Sequence, residues 1–255
     1  MPEQASIEQD EVQYLCEQAS RYFKRPVQSA DVVWTYAGVR PLLEDASKDA
    51  SAVTRDYVLE TSDRGAPLMT VWGGKITTYR KLAEQAATQL GVLLGQAGRP
   101  WTEDAVLPGG DLSAWTQTAC AGPDLGMVAF VSQLQARYPW VPVLTLRRWA
   151  QAYGTQIPLL VGSAQCLKDL GPTEVTGLYR AELRYLIQAE WARTADDVLW
   201  RRSKLGLHLT PAQCAHVAAC MARLMREEPT ASERVVQGDH LQRQLVPGVQ
   251  VDHGA

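Results

Sequence analysis

Long apolar runs are missing from this 255-residue sequence, as is any segment that looks like a targeting peptide. The stretch MPEQASIEQDEV has no basic beginning and no apolar core, and no later run approaches the roughly 20 apolar residues of a membrane-spanning helix. The sequence therefore predicts no transmembrane segment and no secretory leader. We expect a protein of the cytoplasm.

Paired cysteines and a surplus of basic charge are missing as well. The five cysteines lie far apart and form no CxxC pair, which favours reduced, packed thiols over a disulfide framework or a zinc ribbon. Lysine and arginine number 25 against 28 aspartates and glutamates, giving a formal net charge of -3. This balance does not predict a nucleic-acid partner.

What is present is a mixed α/β pattern over the first hundred residues. The spacing of Ser6 and Gln9 predicts a capping box, and a helical stripe follows it. DVVWTYAGV is β-branched and aromatic, and the segments DYVLET and PLMTVW predict two adjacent strands. The first predicted domain, of α/β class, covers residues 1–97.

The strand signal disappears after Pro100, and five segments with helical periods follow. The last of them, TPAQCAHVAACMARLMREE, has Thr210 as a cap, Pro211 at the first helical position and Gln213 to complete a capping box. Residues 98–228 are therefore predicted to form an all-helical domain. Residues 229–255 are polar, rich in turn-forming residues and without a period, which predicts a disordered tail.

The stretch VWGGKITTYRKLAEQAATQLG joins the last predicted strand to a helix through Gly73, Gly74 and Lys75. Thr77 or Thr78 can cap that helix. A strand that breaks on glycines into a helix start presents backbone N–H groups to an anion. The sequence contains neither G-x-G-x-x-G nor a P-loop, so the residues alone leave two interpretations: a tight turn with a solvated lysine, or part of an anion site.

Two arginines are candidate partners for that turn. Arg40 precedes a proline that restricts the local backbone, and Arg55 begins the first predicted strand. Guanidinium forks bind phosphate or carboxylate bidentately, so both arginines with Lys75 would suit a small anionic substrate. Taken singly, each arginine equally fits a surface salt bridge, for example between Arg55 and Glu60.

Two further constellations are weaker. His216 and Cys220 lie four residues apart on a predicted helix, a spacing that could ligate a metal, but the surrounding stripe is typical of a packed core. LWRRSK is basic, and Asp196 and Asp197 precede it in the same segment, which favours local ion pairs over nucleic-acid contact. No metal site is predicted.

The segments DVVWTYAGVRPLLEDAS, AVTRDYVLE, WGGKITTYRKLAEQA, VLPGGDL and AEWARTADDVLWRRSKLGL together resemble the C-terminal half of the aerobic, FAD-dependent glycerol-3-phosphate dehydrogenases. The resemblance runs from about Glu8 to about Glu227. It implies antiparallel substrate-binding strands and a strand–Gly–Gly–helix unit from a flavin-binding domain of the amino-acid-oxidase type, followed by a helical cap domain. The family's glycine-rich dinucleotide motif belongs to its N-terminal half, which has no counterpart here.

The resemblance also implies roles for individual residues. Arg40 and Arg55 match arginines around the substrate phosphate and oxygens, and Lys75 matches the lysine beside the flavin ring. Gly73, Gly74 and Thr77 match the turn that closes over the cofactor. The implied reaction oxidises glycerol 3-phosphate to dihydroxyacetone phosphate, with hydride transfer to FAD and electrons passing to a quinone at the membrane surface.

Other expectations follow from the resemblance. The partners would be the missing N-terminal FAD domain and a second copy of the chain in a homodimer, and the location would be the cytoplasm or the inner face of the cytoplasmic membrane. Without the N-terminal half, the chain is expected to retain no FAD and to be inactive alone. The alternative hypothesis is a non-catalytic helical interaction domain that carries a vestigial α/β segment.

Overall fold

The computed structural model describes residues 5–39, 56–62, 64–96, 98–116, 123–175 and 177–227. The chain divides into two compact units, Met1–Val106 and Leu107–Ala255. The first unit contains an α/β arrangement with a small antiparallel sheet, and the second is dominated by helices. This confirms the predicted fold class. The predicted tail, residues 229–255, lies outside the described residues.

In its described residues, the first unit contains two helices, two strands and two 3₁₀ turns. In chain order these are α1 (Gln9–Ser20), a 3₁₀ turn (Ser29–Asp31), β1 (Tyr57–Ser62), β2 (Leu68–Gly73), a 3₁₀ turn (Ile76–Thr78) and α2 (Tyr79–Leu93). β1 and β2 pair antiparallel, and the register runs from Tyr57 opposite Gly73 to Ser62 opposite Leu68. The adjacent strands predicted from the sequence are confirmed.

Two details of this unit differ from the sequence-based expectations. α1 begins after Glu8, whose backbone N–H donates to the Glu11 carboxylate at 2.9 Å, so the capping pair lies two residues beyond Ser6 and Gln9. A carboxylate serves a helix N-terminus well because it also complements the helix dipole. Residues 32–39, despite their β-branched composition, form no strand within the described part of the chain.

The second unit is built mainly from short helices. In chain order its elements are α3 (Ser113–Thr116), α4 (Pro123–Arg137), α5 (Val143–Tyr153), a 3₁₀ turn (Gly154–Gln156), α6 (Ile157–Val161), a 3₁₀ turn (Leu167–Leu170), β3 (Thr173–Val175), β4 (Leu178–Tyr179), α7 (Arg180–Ala189), a π-helix (Asp197–Arg202), a 3₁₀ turn (Leu205–His208) and α8 (Pro211–Glu227). β3 and β4 pair antiparallel. This hairpin is an addition to the all-helical expectation, and its strands are too short to leave a period in the sequence.

The start of α8 agrees with its sequence signature. The Gln213 backbone N–H donates to Thr210 Oγ1 at 3.3 Å, and the Thr210 backbone N–H donates to Gln213 Oε1 at 2.9 Å. Pro211 occupies the first helical position, where a missing N–H costs no intrahelical bond. The predicted capping box is therefore confirmed.

Burial differs sharply between the two units. Among the described residues of the first unit, only Cys16 and Glu84 are buried. The second unit has a continuous apolar core in which Phe130, Trp149 and Leu183 are completely inaccessible to solvent. Because burial of apolar surface is the main favourable term in folding, the second unit holds most of the stabilising core among the described residues.

One carboxylate lies inside that core. Glu182 on α7 accepts hydrogen bonds from Arg148 at 2.5 and 2.7 Å, from Trp149 Nε1 at 2.9 Å and from the Tyr153 hydroxyl at 2.6 Å. Burial, together with the Glu182 carboxylate, raises the pKa of Tyr153 above its ordinary value and keeps the hydroxyl a donor. The network joins α5 to α7 and leaves the buried charge fully paired.

Candidate functional site

The junction between β2 and α2 is a turn in which both glycines have left-handed backbone conformations. Gly73 has φ 71° and Gly74 has φ 101°. A Cβ atom on Gly74 would lie 3.4 Å from Leu82 Cδ1 and 3.5 Å from Tyr57 Cβ. The turn is therefore packed between β1 and α2, and the backbone at Gly74 suits glycine on grounds of conformation.

Lys75 and Thr78 hold the end of this turn in place. The Lys75 backbone N–H donates to Thr78 Oγ1 at 3.2 Å, and the Thr78 hydroxyl donates to the Lys75 carbonyl at 3.0 Å. The Thr78 N–H donates to the same carbonyl at 3.0 Å. Thr78 occupies the position before α2, but its side chain binds backwards to Lys75 and not forwards to the helix. Thr77 lies exposed within the 3₁₀ turn.

The side chain of Lys75 is exposed, and within the described part of the chain it forms no hydrogen bond or ion pair. Lys75 directly precedes the short helical turn that leads into the 15-residue helix α2. The N-terminal end of a helix carries partial positive charge. The turn thus presents one full and several partial positive charges to solvent.

Two side-chain hydrogen bonds fix the surroundings of the turn. The Tyr57 hydroxyl donates to Gln85 Oε1 at 2.6 Å and so connects β1 to α2. Trp72 Nε1 donates to the Glu60 carboxylate at 2.9 Å across the sheet face. Both bonds join elements that meet at the turn, which reduces the freedom of the backbone between them.

A charged cluster on α2 was not predicted from the sequence. Glu84, which is 8% exposed, accepts hydrogen bonds from Lys81 Nζ at 3.0 Å, Arg80 Nη1 at 3.2 Å and Thr102 Oγ1 at 2.8 Å. The hydrogen bonds from Lys81 and Thr102 contribute most to a lowered pKa of the Glu84 carboxyl. The spacings of three and four residues were a visible signal, but Thr102 lies 18 residues away.

The structure brings four of the predicted site residues into one turn: Gly73, Gly74, Lys75 and Thr77. The other two, Arg40 and Arg55, lie outside the described residues, so their predicted roles stay predictions. The turn alone can offer backbone N–H groups and an ammonium to an anionic or electron-rich group.

The weaker constellations are also located. His216 Nε2 lies 3.4 Å from Cys220 Sγ on α8, and Arg223 donates to the same sulfur at 3.8 Å. Across the described ranges, no group of three or more histidine, cysteine or acidic side chains is arranged to hold a metal ion. Arg201 pairs with Asp197 at 2.9 Å, which confirms local pairing in the LWRRSK segment. The described helices include none that is long and apolar enough to cross a membrane.

Two family models match the chain. Residues 1–80 match the model described as FAD dependent oxidoreductase, and residues 101–235 match the C-terminal domain of alpha-glycerophosphate oxidase. The GGK turn lies inside the first match, and the second covers most of the helical unit.

Curated proteins with similar sequences carry related names. The aerobic glycerol-3-phosphate dehydrogenase of Escherichia coli K12 is 40% identical over 219 residues, which cover 85% of this chain and 42% of that protein. A glycerol-3-phosphate dehydrogenase of Pseudomonas aeruginosa is 42% identical over 214 residues, 83% of this chain and 40% of the relative. A D-erythritol 1-phosphate dehydrogenase of Brucella abortus is 40% identical over 214 residues, 84% and 41% respectively. The chain thus spans less than half the length of these relatives.

Proposed function

The chain belongs to the aerobic, FAD-dependent glycerol-3-phosphate dehydrogenase family, of which it represents the C-terminal portion, and from this premise we propose that it contributes to oxidation of a polyol phosphate. The proposed reaction converts the secondary alcohol of glycerol 3-phosphate to the ketone of dihydroxyacetone phosphate. The carbon loses a hydride to FAD, the hydroxyl loses a proton to a base, and the two electrons pass on to quinone.

The observation that carries this proposal is the turn from Gly73 to Thr78. Its two glycines adopt left-handed backbone conformations, and the exposed Lys75 directly precedes the helical turn that leads into α2. Flavin, when bound, accepts the hydride and gains negative charge on one edge of its ring system. Lys75, with the N–H groups of the turn, would stabilise that charge, while Gly73, Gly74 and Thr77 would shape the surface against the ring.

Arg40 and Arg55 complete the proposed site. We assign them to the substrate phosphate and oxygens, because a guanidinium binds two phosphate oxygens at once. Glycerol 3-phosphate and D-erythritol 1-phosphate both carry a terminal phosphate on a polyol, so these arginines suit either compound. The names of the relatives favour glycerol 3-phosphate as the first substrate to test.

The exposed apolar surface of the first unit supports the view that this unit is one part of a larger FAD domain. Trp72 is 46% exposed, Tyr79 55% and Ile76 88%, all at or beside the turn. Large exposed apolar patches mark surfaces that another protein element covers. We infer that an N-terminal FAD domain covers this surface, and that the chain alone retains no FAD and has no activity.

The remaining parts of the proposal concern organisation. We propose that residues 1–97 complete the FAD and substrate domain, that residues 98–228 form a helical cap, and that the active protein works in the cytoplasm or peripherally on the inner face of the cytoplasmic membrane, where quinone is available. A homodimer is the proposed assembly.

The closed core of the helical unit favours the alternative function, a non-catalytic interaction domain, because such a core needs no second polypeptide.

The decisive experiment compares the chain alone with the chain joined to an N-terminal FAD domain. The chain alone should be colourless and should reduce no dye with glycerol 3-phosphate and added FAD. The joined protein should be yellow and active, and Arg40→Lys or Arg55→Lys should raise its Michaelis constant, since each charge-assisted hydrogen bond contributes about 1.5–3 kcal/mol.

Three results would contradict the proposal. Flavin bound at one per chain, or turnover above the protein-free blank, would show that the chain is not incomplete. An inactive joined protein that still binds flavin would favour the interaction domain. Unchanged kinetics in both arginine variants would remove these residues from the substrate site. D-erythritol 1-phosphate, assayed in parallel, tests the substrate class.

A further inference from the structure

The segment from Gly73 to Leu93 contains three cations, and the structure treats them differently. Arg80 and Lys81 form ion pairs with the Glu84 carboxylate, whereas the exposed Lys75 side chain has no partner among the described residues. Glu84 is the only carboxylate in this segment. One buried anion thus holds two of the three positive charges.

The position of Arg80 and Lys81 makes this pairing necessary. Both lie in the first turn of α2, which begins at Tyr79, where cations are unfavourable because the helix end is itself positive. If they were free, their flexible side chains would compete with Lys75 for any anionic group at the turn. Glu84 lies one turn further along the helix, so it draws both cations towards the helix interior.

Thr102 fixes the positions of the Glu84 and Arg80 side chains. Its hydroxyl donates to Glu84 at 2.8 Å and accepts from Arg80 at 3.1 Å, so the arginine is bound by two partners at once. Glu84 is also the only buried residue of α2 in the described structure. A carboxylate with three donors in a nearly inaccessible position is held in one geometry.

We propose that Glu84 is a positioning residue for the GGK turn: it holds Arg80 and Lys81 against Thr102, so that Lys75 is the cation which an anionic group at the turn meets. This proposal rests on the proposed function of the turn and adds a charge-sorting role to it. Glu84 itself touches neither substrate nor cofactor. Its effect is to leave Lys75 as the one cation of the Gly73–Leu93 segment that faces a group bound at the turn.

The first test measures side-chain reactivity in the 255-residue chain, with no flavin present. Acetic anhydride labels lysine amines and phenylglyoxal labels arginine, and both products are located by mass spectrometry. Glu84→Gln should raise the labelling rate of Lys81 and Arg80 about threefold, the size expected for the loss of a partly exposed ion pair. The rate at Lys75 should stay the same. Glu103→Gln, which removes an exposed carboxylate next to Thr102, is the matched control.

A second variant keeps the test valid if Glu84→Gln fails to fold. Thr102→Val retains the carboxylate and removes only the hydroxyl, so Arg80 labelling should rise while Lys81 remains protected. If Arg80 and Lys81 are each labelled at the same rate in wild type, Glu84→Gln and Glu103→Gln, the proposal is overturned. A rise at Lys81 in Thr102→Val would show that local packing, and not the carboxylate, protects the lysine.

The second test separates this proposal from the proposed function. Inorganic phosphate is titrated into the ¹⁵N-labelled, chemically unmodified chain, and the backbone amide chemical shifts are followed. The shifts of Gly74–Thr78 should change in wild type, and those of Arg80 and Lys81 should change as well in Glu84→Gln. Absence of any shift at the turn in wild type would count against the anion-binding turn. Identical shifts in both proteins would count against the charge-sorting role of Glu84.

Discussion

Replacement of Glu182 by glutamine is the sharpest test of what stabilises the helical unit. The carboxylate is fully buried and accepts from Arg148, Trp149 and Tyr153, while Arg148 also donates to the Gly177 carbonyl at 2.6 Å. Glutamine has the same shape but no charge, and its NH₂ group would face a donor. The arginine would remain largely buried without its counter-charge. We expect a loss of about 3–5 kcal/mol in the free energy of unfolding.

Urea denaturation followed by circular dichroism measures this loss. With a dependence of about 2 kcal/mol per molar urea, the midpoint should fall by about 2 M. Glu227→Gln is the matched control, since this glutamate is 52% exposed and lies 4.0 Å from Arg184. The control should change stability by less than about 0.5 kcal/mol. A Glu182→Gln shift no larger than that of the control would refute the reasoning.

Three further predictions concern the stability of the same unit. Backbone hydrogen bonds from Arg193 and Thr194 lower the pKa of Asp197 from 3.8 to about 2. The Asp197 carboxylate therefore contributes about 1–2 kcal/mol to the free energy of unfolding above pH 4, and this contribution is lost as the pH falls towards 2. Asp197→Asn should lack this acid-dependent step in thermal melts. Gly154, with φ 51°, has no room for a Cβ atom against the Gly109 carbonyl, and Gly154→Ala should cost at least about 2 kcal/mol, whereas equal melting temperatures would show that the loop can move aside. A fragment of residues 101–228 should be helical and melt cooperatively, and a random-coil spectrum would contradict its independence.

Local patterns predicted the fold because their physical causes are local. The β1–β2 pair follows from two β-rich runs around a turn, and the start of α8 follows from Thr210, Pro211 and Gln213 within four positions. The hairpin of β3 and β4 was missed because two or three residues per strand carry no period. The N-terminus of α1 was misplaced because Glu8, which is not a typical cap, serves there.

The paired carboxylates could not be predicted because their partners are distant in sequence. Glu182 and Arg148 are 34 residues apart, and Glu84 and Thr102 are 18 apart. Helical periodicity alone would assign both glutamates to ordinary helix positions. The GGK turn was visible as a motif, but the roles of Arg40, Arg55 and Lys75 rest on resemblance and stay predictions.

The unequal burial of the two units decides how each experiment has to be read. Glu182 lies within the closed core of the second unit, so its replacement acts on the cooperative unfolding of that unit. Glu84 lies in a unit that buries only one other described side chain, that of Cys16. Replacement of Glu84 therefore removes few buried contacts. A melting curve of the whole chain therefore reports mainly on the helical unit. Residue-specific labelling at Arg80 and Lys81 is the measurement that responds to Glu84, because it depends on the local charge arrangement and not on the global free energy.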